Sequence, residues 1–230
     1  GGGGECKEIV RDLLDGVQPA LSAHDREELR LMRIYSQYAL AACGWPMYMY
    51  LHPCTAHKVM GCCADQEALS TVGATCCHSN ERAFIEQTGV DKGDLLFASM
   101  VADVERLHYF VAVDRETKSL VVAIRGTMSF QDMVTDARQK YLPLRENSPH
   151  LVPQGYLHSA KRILREVRRN EAIQNFLDIH RDYGIVFSGH SLGGAVGIVA
   201  TILLTTETTW KRPVKAYAIG PPPTVDKDLA

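Results

Sequence analysis

Apolar residues fall along this chain in two rhythms, and the change between them marks its organisation. From Glu5 to Leu14 the apolar positions Ile9, Val10, Leu13 and Leu14 have helical spacing. Ser22 with Asp25 three places on reads as the start of a second helix. Leu29, Met32, Tyr35, Ala39 and Ala42 then share one face until Gly44 and Pro46 stop it. The next segment, Trp45 to Leu51, is aromatic and apolar. It suits either a cover for the main domain or a membrane surface, and the cover is the plainer reading. Past residue 80 the pattern shortens. Asn80 begins a short helix that Gly89 ends, and residues 95–101 are a candidate strand. His108–Val113 and Leu120–Ile124 are β-rich runs joined by the polar turn 114–118. Helical spacing returns at Tyr156–Arg169 and at Ala172–Ile179, after a proline-punctuated stretch over 140–153 that reads as loop. Val214 to Ile219 is a final strand, followed by Gly220 and three prolines.

The stretch from Gly184 to Leu204 organises the rest. Ile185-Val186-Phe187 is too short and apolar for anything but a buried strand, and Ala195 to Leu204 carries no charge. Between them lies Gly189-His190-Ser191-Leu192-Gly193. Strand, sharp turn and buried helix are the context in which G-x-S-x-G means a nucleophile elbow. Such a turn strains the serine backbone and needs small neighbours, which Gly189, Gly193 and Gly194 supply. It also holds the hydroxyl at a helix N-terminus, where N–H groups meet a developing oxyanion. The bland alternative is a glycine-rich turn that only packs a helix on a sheet.

Composition adds limits. The chain has 230 residues, 46% hydrophobic and 23% charged, with a net charge of −2. That is ordinary for a globular α/β domain with an appendage, and it gives no reason to expect a nucleic-acid partner. No apolar run reaches the roughly 18 residues that span a bilayer. All seven cysteines precede residue 78. Without C-x2-C spacing they make a weak zinc signal, and beside an apolar stretch they could be S-acylated; buried thiols are the plain reading. The basic run Lys161, Arg162, Arg165, Arg168 and Arg169 suits a solvated helix face, or anionic headgroups. No histidine follows Ser191. His190 should point away from the hydroxyl, and His158 is the most plausible earlier histidine to serve as base. Asp226 and Asp228 receive no role.

The motifs Val122-Ala-Ile-Arg-Gly-Thr127, the spaced Asp132 and Asp136, Gly189-His-Ser-Leu-Gly-Gly194, and Ala216-Tyr217 followed by Gly-Pro-Pro resemble the class 3 (fungal-lipase-like) lipases. Tyr38 to Met47, the cysteine-rich segment and Phe110-Val-Ala-Val-Asp114 are closer still to the sn-1-specific diacylglycerol lipases. The resemblance implies an α/β-hydrolase-type lipase domain over 80–230, truncated at its C-terminus, behind a helical, cysteine-rich appendage over 1–79. It implies Ser191 as nucleophile, Thr127 and Leu192 as oxyanion donors and Asp136 as support for Thr127. It places the triad acid and base past residue 230, so these residues alone are expected to lack turnover. The expected reaction is hydrolysis of a glycerolipid ester through an acyl-serine, with the sn-1 ester of diacylglycerol as first choice of substrate. Triacylglycerol lipase, phospholipase A1 and a non-catalytic lipid-binding homologue are the alternatives. No cofactor is assigned from the residues; calcium is the one candidate the resemblance brings. The expected setting is a membrane surface, with the catalytic domain on the cytoplasmic side.

Overall fold

The computed structural model describes residues 21–60, 71–72, 78–100, 107–126 and 140–226. The expected helix at 5–14, Thr127, Asp132, Asp136, Asp228 and Cys6, Cys62, Cys63, Cys76 and Cys77 lie outside them. The chain forms two compact units, residues 1–34 and 35–230.

Helix α1, Ala23–Ala41, starts on the expected capping box. Ser22 Oγ accepts from the Asp25 N–H at 3.1 Å, and Asp25 Oδ2 accepts from the Ser22 N–H at 3.1 Å and hydroxyl at 2.7 Å. These bonds to its charged form hold the Asp25 carboxyl below the usual carboxylate range. Tyr35, Ala39 and Ala42 are buried as the spacing predicts, and Tyr38, outside that pattern, is buried too, whereas Leu29 and Met32 are exposed. Helix α2 is Trp45–Leu51 and α3 is Ser79–Thr88. Asn80 does not cap α3 as the sequence suggested; its Oδ1 accepts from the Trp45 N–H at 3.2 Å. Gly89, at φ +73°, ends the helix as expected.

The main sheet has the strand order β1-β2-β3-β4-β7-β8. Its strands are Thr71–Val72, Leu95–Ser99, Tyr109–Asp114, Ser119–Ile124, Gly184–His190 and Val214–Ile219. β3 pairs antiparallel with β2 and β4, while β4, β7 and β8 are parallel. The stretch read as loop over 140–153 instead contains a two-stranded hairpin, β5 Tyr141–Pro143 and β6 Leu151–Pro153. Each strand is only three residues long, too short to show period-2 alternation.

Alternation sorts β3, β4 and β7 onto two faces. One presents Tyr109, Val111, Val113, Leu120, Val122, Ile124, Ile185 and Phe187 to three helices: α4 Gln154–Arg169, α5 Glu171–Ile179 and α6 Leu192–Thr205. Ala160, Ile163, Leu164 and Val167 of α4 are buried there, as their spacing predicted. α6 is apolar nearly all round because it lies between the sheet and α4. Each fully buried aliphatic side chain on this face contributes about 1.5–3 kcal/mol. The other face carries Phe110, Ala112, Asp114, Ser119, Val121, Ala123 and Ser188, all buried. The C-terminal part of α1, together with α3, covers it. Phe84 stacks on Phe110 at 4.3 Å, Tyr35 stacks on Tyr217 at 4.4 Å, and Ser188 Oγ donates to the Tyr35 carbonyl at 2.6 Å.

Candidate active site

β4, β7 and β8 end together at Ile124, His190 and Ile219, and parallel sheets bind ligands at that edge. Ser191 follows β7 immediately and is the N-cap of α6. Its φ of 53° and ψ of −124° lie in a region that side-chain-bearing residues rarely occupy, which costs roughly 1–3 kcal/mol. Glycines allow the turn to be this tight. A Cβ at Gly189 would sit 2.4 Å from the Gly193 carbonyl carbon, and one at Gly193 would sit 2.2 Å from the Ile124 carbonyl oxygen. The elbow therefore rests directly on the backbone of β4. Gly126, just past β4, is held equally close: its Cβ would lie 2.3 Å from the His190 carbonyl oxygen. This puts the segment leading into Thr127 beside Ser191, whose Cβ is 3.5 Å from the same point.

The Ala195 N–H makes the first helical bond of α6, to the Ser191 carbonyl at 3.1 Å. The N–H groups of Leu192, Gly193 and Gly194 precede that ladder and point out of the helix start, together with the positive end of its dipole. Ser191 is buried, at 6% exposure, so a charge developing there meets these dipoles with little competing water. The Ser191 N–H donates to the Ile219 carbonyl at 2.9 Å, pinning the elbow to the end of β8. The structure thus places Ser191 and Leu192 together.

The histidines occupy other positions. His190 is exposed, as is His158 on α4. His108 Nδ1 lies 3.1 Å from Arg125 Nη1, and burial, then the Arg125 charge, lower its pKa. His180 packs among Phe176 and Tyr183. His52 bonds Gln87 at 2.9 Å, and His78 bonds Glu81 at 3.1 Å. His150 pairs with Asp226 at 3.3 Å, while the other Asp226 oxygen accepts from the Leu151 N–H at 2.8 Å. The sequence reading missed this pair, because its members are far apart in the chain and neither sits in a motif. It clasps the hairpin rather than the elbow. Leu144 N–H donates to the His150 carbonyl, and the adjacent Arg145 donates to the carbonyl of Leu203. Leu203 is near the far end of α6, about 16 Å along the helix axis from Leu192.

Of the basic run on α4, Arg162 meets Glu166 at 3.4 Å and Arg168 meets Glu207 at 2.5 Å. Arg168 is exposed, whereas Arg162 is largely buried, so only part of the run lies on a solvated helix face. Among the described residues, no group of three or more His, Cys, Asp or Glu side chains is placed to hold a metal ion. Cys43 is buried and Cys54 exposed. Among the described residues no helix is long and apolar enough to cross a membrane.

A mixed sheet with a strained serine between a parallel strand and a buried helix defines the α/β-hydrolase class of fold. Residues 121–230 match the family model described as Lipase (class 3), which bears out the resemblance carried by the motifs. The chain is 29% identical over 206 residues to diacylglycerol lipase-beta of Mus musculus, a match covering 82% of this chain and 29% of that protein. It is 28% identical over 223 residues to diacylglycerol lipase-alpha of Homo sapiens, covering 86% of this chain and 21% of that protein. It therefore spans less than a third of the length of these curated relatives. In fold it is similar to the mono- and diacylglycerol lipase of Aspergillus oryzae, with a TM-score of 0.57 and 24% identity, over 87% of this chain and 65% of that one.

Proposed function

We propose that the protein is a serine ester hydrolase acting on glycerolipids, with the sn-1 ester of diacylglycerol as its substrate. Ser191 Oγ attacks the ester carbonyl and the carbonyl oxygen becomes an oxyanion. The Leu192 N–H and Thr127 stabilise that charge, and Asp136 supports Thr127. The Ser191 proton passes to a base as the bond forms; collapse of the intermediate expels the glycerol-backbone alkoxide, which takes up that proton, and leaves an acyl-serine that water then hydrolyses to the fatty acid and the free Ser191 hydroxyl. The observation that carries this reading is the strained backbone of Ser191 at the N-terminus of a buried helix. Strain of that kind persists where the surrounding structure imposes it, and it presents the hydroxyl at the sheet edge. The similarity to diacylglycerol lipase-beta and diacylglycerol lipase-alpha favours this substrate class. A serine hydroxyl needs an adjacent base. We assign that base to none of the nine histidines of this sequence. We also place the protein at a membrane surface, its catalytic domain on the cytoplasmic side, because its substrate resides in lipid.

The test is hydrolysis by the full-length protein of diacylglycerol labelled separately in its sn-1 and sn-2 acyl chains. Release of the sn-1 acid, reduced by roughly 10⁴-fold or more in Ser191→Ala, is expected. Preferential turnover of triacylglycerol or of a phospholipid would move the reading to the alternative lipases. Turnover unchanged by Ser191→Ala would overturn the mechanism.

A further inference from the structure

Arg115 shows how this protein matches a guanidinium to an anion. It grips Asp94 side-on, its Nε donating to Oδ2 at 2.7 Å and its Nη2 to Oδ1 at 2.6 Å. Arg30 has Glu27, Arg168 has Glu207, and Arg212 serves the carbonyls of Leu177, His180 and Tyr183. Arg125 is different. It is half-buried, yet among the described residues its side chain meets neither a carboxylate nor a carbonyl. An exposed arginine can leave its N–H groups to water, but one withdrawn into the protein ordinarily has an acceptor.

The side chain of Arg125 makes one hydrogen bond, to His108, with Nη1 3.1 Å from Nδ1. A guanidinium has no lone pair to offer, so Nη1 donates and Nδ1 accepts. The imidazole proton therefore sits on Nε2, and His108 is neutral. Nε2 is buried without a hydrogen-bond partner. The ring thus forgoes one bond while its other nitrogen fixes Arg125. Fixing Arg125 through Nη1 leaves Nε and Nη2 over. These form the same side-on fork with which Arg115 holds Asp94, and their spacing matches two oxygens of a carboxylate or a phosphate. Unlike His108 Nε2, they are not shut off from solvent.

Backbone sets where this fork lies. Arg125 runs from β4 into Gly126, whose Cβ would lie 2.3 Å from the His190 carbonyl oxygen and 3.5 Å from Ser191 Cβ. A Cβ on Gly193 would lie 3.0 Å from the Arg125 carbonyl carbon. The residue that carries the fork is therefore in contact with the elbow. Ile124 pairs with Gly189 in the ladder, so the next residues, Arg125 and His190, are neighbours. His190 is exposed and brings a second N–H donor to the same rim.

We infer that Arg125 binds the charged head of an anionic lipid beside Ser191, its Nε–H and Nη2–H groups taking two oxygens of a carboxylate or phosphate. The carboxylate is that of a released fatty acid; the phosphate is that of a glycerolipid whose ester reaches the nucleophile. His108 is the positioning residue that aims the fork. The inference rests on the glycerolipid reading for the lipid that carries the anion, and on the unused fork for the site itself.

Calorimetric titration of the full-length Ser191→Ala protein tests it, with dihexanoylglycerol, dihexanoylphosphatidate and hexanoate as probes, each kept below micelle formation. At least one of the two anions should bind, and Arg125→Met should weaken it by roughly tenfold or more, the scale of hydrogen bonds to a charged group. Affinity for uncharged dihexanoylglycerol should stay at the parent level. Binding of phosphatidate alone would uphold the site with a headgroup phosphate as its ligand, and binding of hexanoate alone would uphold it with the product acid. His108→Leu carries the test if Arg125→Met does not fold. It should weaken the same anion without weakening dihexanoylglycerol, and His108→Asn, whose Oδ1 can accept from Nη1, should restore it. Neither anion binding to protein that binds dihexanoylglycerol would overturn the site and leave the proposed function standing. Anion affinity indifferent to both Arg125→Met and His108→Leu would equally overturn it. Anion binding through Arg125, in a protein whose wild type hydrolyses no glycerolipid ester, would uphold the site while removing the proposed function.

Discussion

The two faces of the central sheet are built by different means. The face under α4, α5 and α6 is almost wholly aliphatic. Ile163, Ile173, Val199 and Ala200 meet Val111, Val122 and Ile185, and all of these are buried. The opposite face is closed by aromatic rings whose hydroxyls reach into the sheet. Tyr38 donates to Asp114 Oδ2 at 2.9 Å, and Tyr35 OH lies 3.0 Å from Ser119 Oγ. Burial, then the Asp114 charge, push the Tyr38 phenol well above its ordinary pKa, so it remains a donor. Shape holds the first face, and satisfied polar groups hold the second. An apolar face tolerates exchange among side chains of similar volume, whereas a buried carboxylate requires its partners. The elbow belongs to neither scheme. There, at Gly189 and Gly193, backbone meets backbone, and no side chain larger than hydrogen fits.

That contrast orders the expected effects of substitution. Gly193→Ala should be the most damaging, since its Cβ would lie 2.2 Å from the Ile124 carbonyl oxygen and 3.0 Å from the Arg125 carbonyl carbon. Backbone cannot rotate away, so the elbow must move off β4. We expect a stability loss of about 3 kcal/mol or more. Residual esterase activity should fall by roughly 10²-fold, the scale of a 1 Å misplacement. Gly93→Ala, with nothing within 4 Å of its Cβ, is the control and should change neither quantity. Wild-type activity and denaturation midpoint in Gly193→Ala would contradict the backbone contact.

The two faces can then be compared directly by urea denaturation. Ile163→Ala on the aliphatic face should cost about 2–5 kcal/mol, as a cavity in a packed core does. Tyr38→Phe on the other should cost about 1–3 kcal/mol by removing one bond from buried Asp114. Asp114 keeps the Thr117 N–H at 2.8 Å, which favours the lower part of that range. Both should shift the midpoint with an unchanged slope. A Tyr38→Phe protein as stable as wild type would mean that the hydroxyl network only fills space.

The aliphatic face was legible in the sequence because its periodicities are local. Ala160, Ile163, Leu164 and Val167 repeat at helical spacing, and the runs flanking the 114–118 turn are strands by composition. The elbow was legible for a similar reason, since motif, strand and helix are contiguous in one stretch. The tyrosine face was not. Nothing near Tyr38 signals that Asp114 will receive its hydroxyl, because they are 76 residues apart and joined only by folding. The same distance in sequence hid the His150–Asp226 clasp. Asn80 was misread as a cap because a local rule was applied to a residue whose partner, Trp45, is remote. The 140–153 hairpin escaped because its strands are short and contain Pro143 and Pro153, residues that ordinarily mark loops.

The central claim is that the strained residue at the head of α6 is a nucleophile. A fluorophosphonate probe tests it most directly, since attack by a serine oxygen forms an O–P bond and expels fluoride. Full-length protein should become covalently labelled, and peptide mapping should place the adduct on Ser191, with the Ser191→Ala protein folded and unlabelled. Equal labelling of wild type and Ser191→Ala, or an adduct mapped to another serine, would contradict the account.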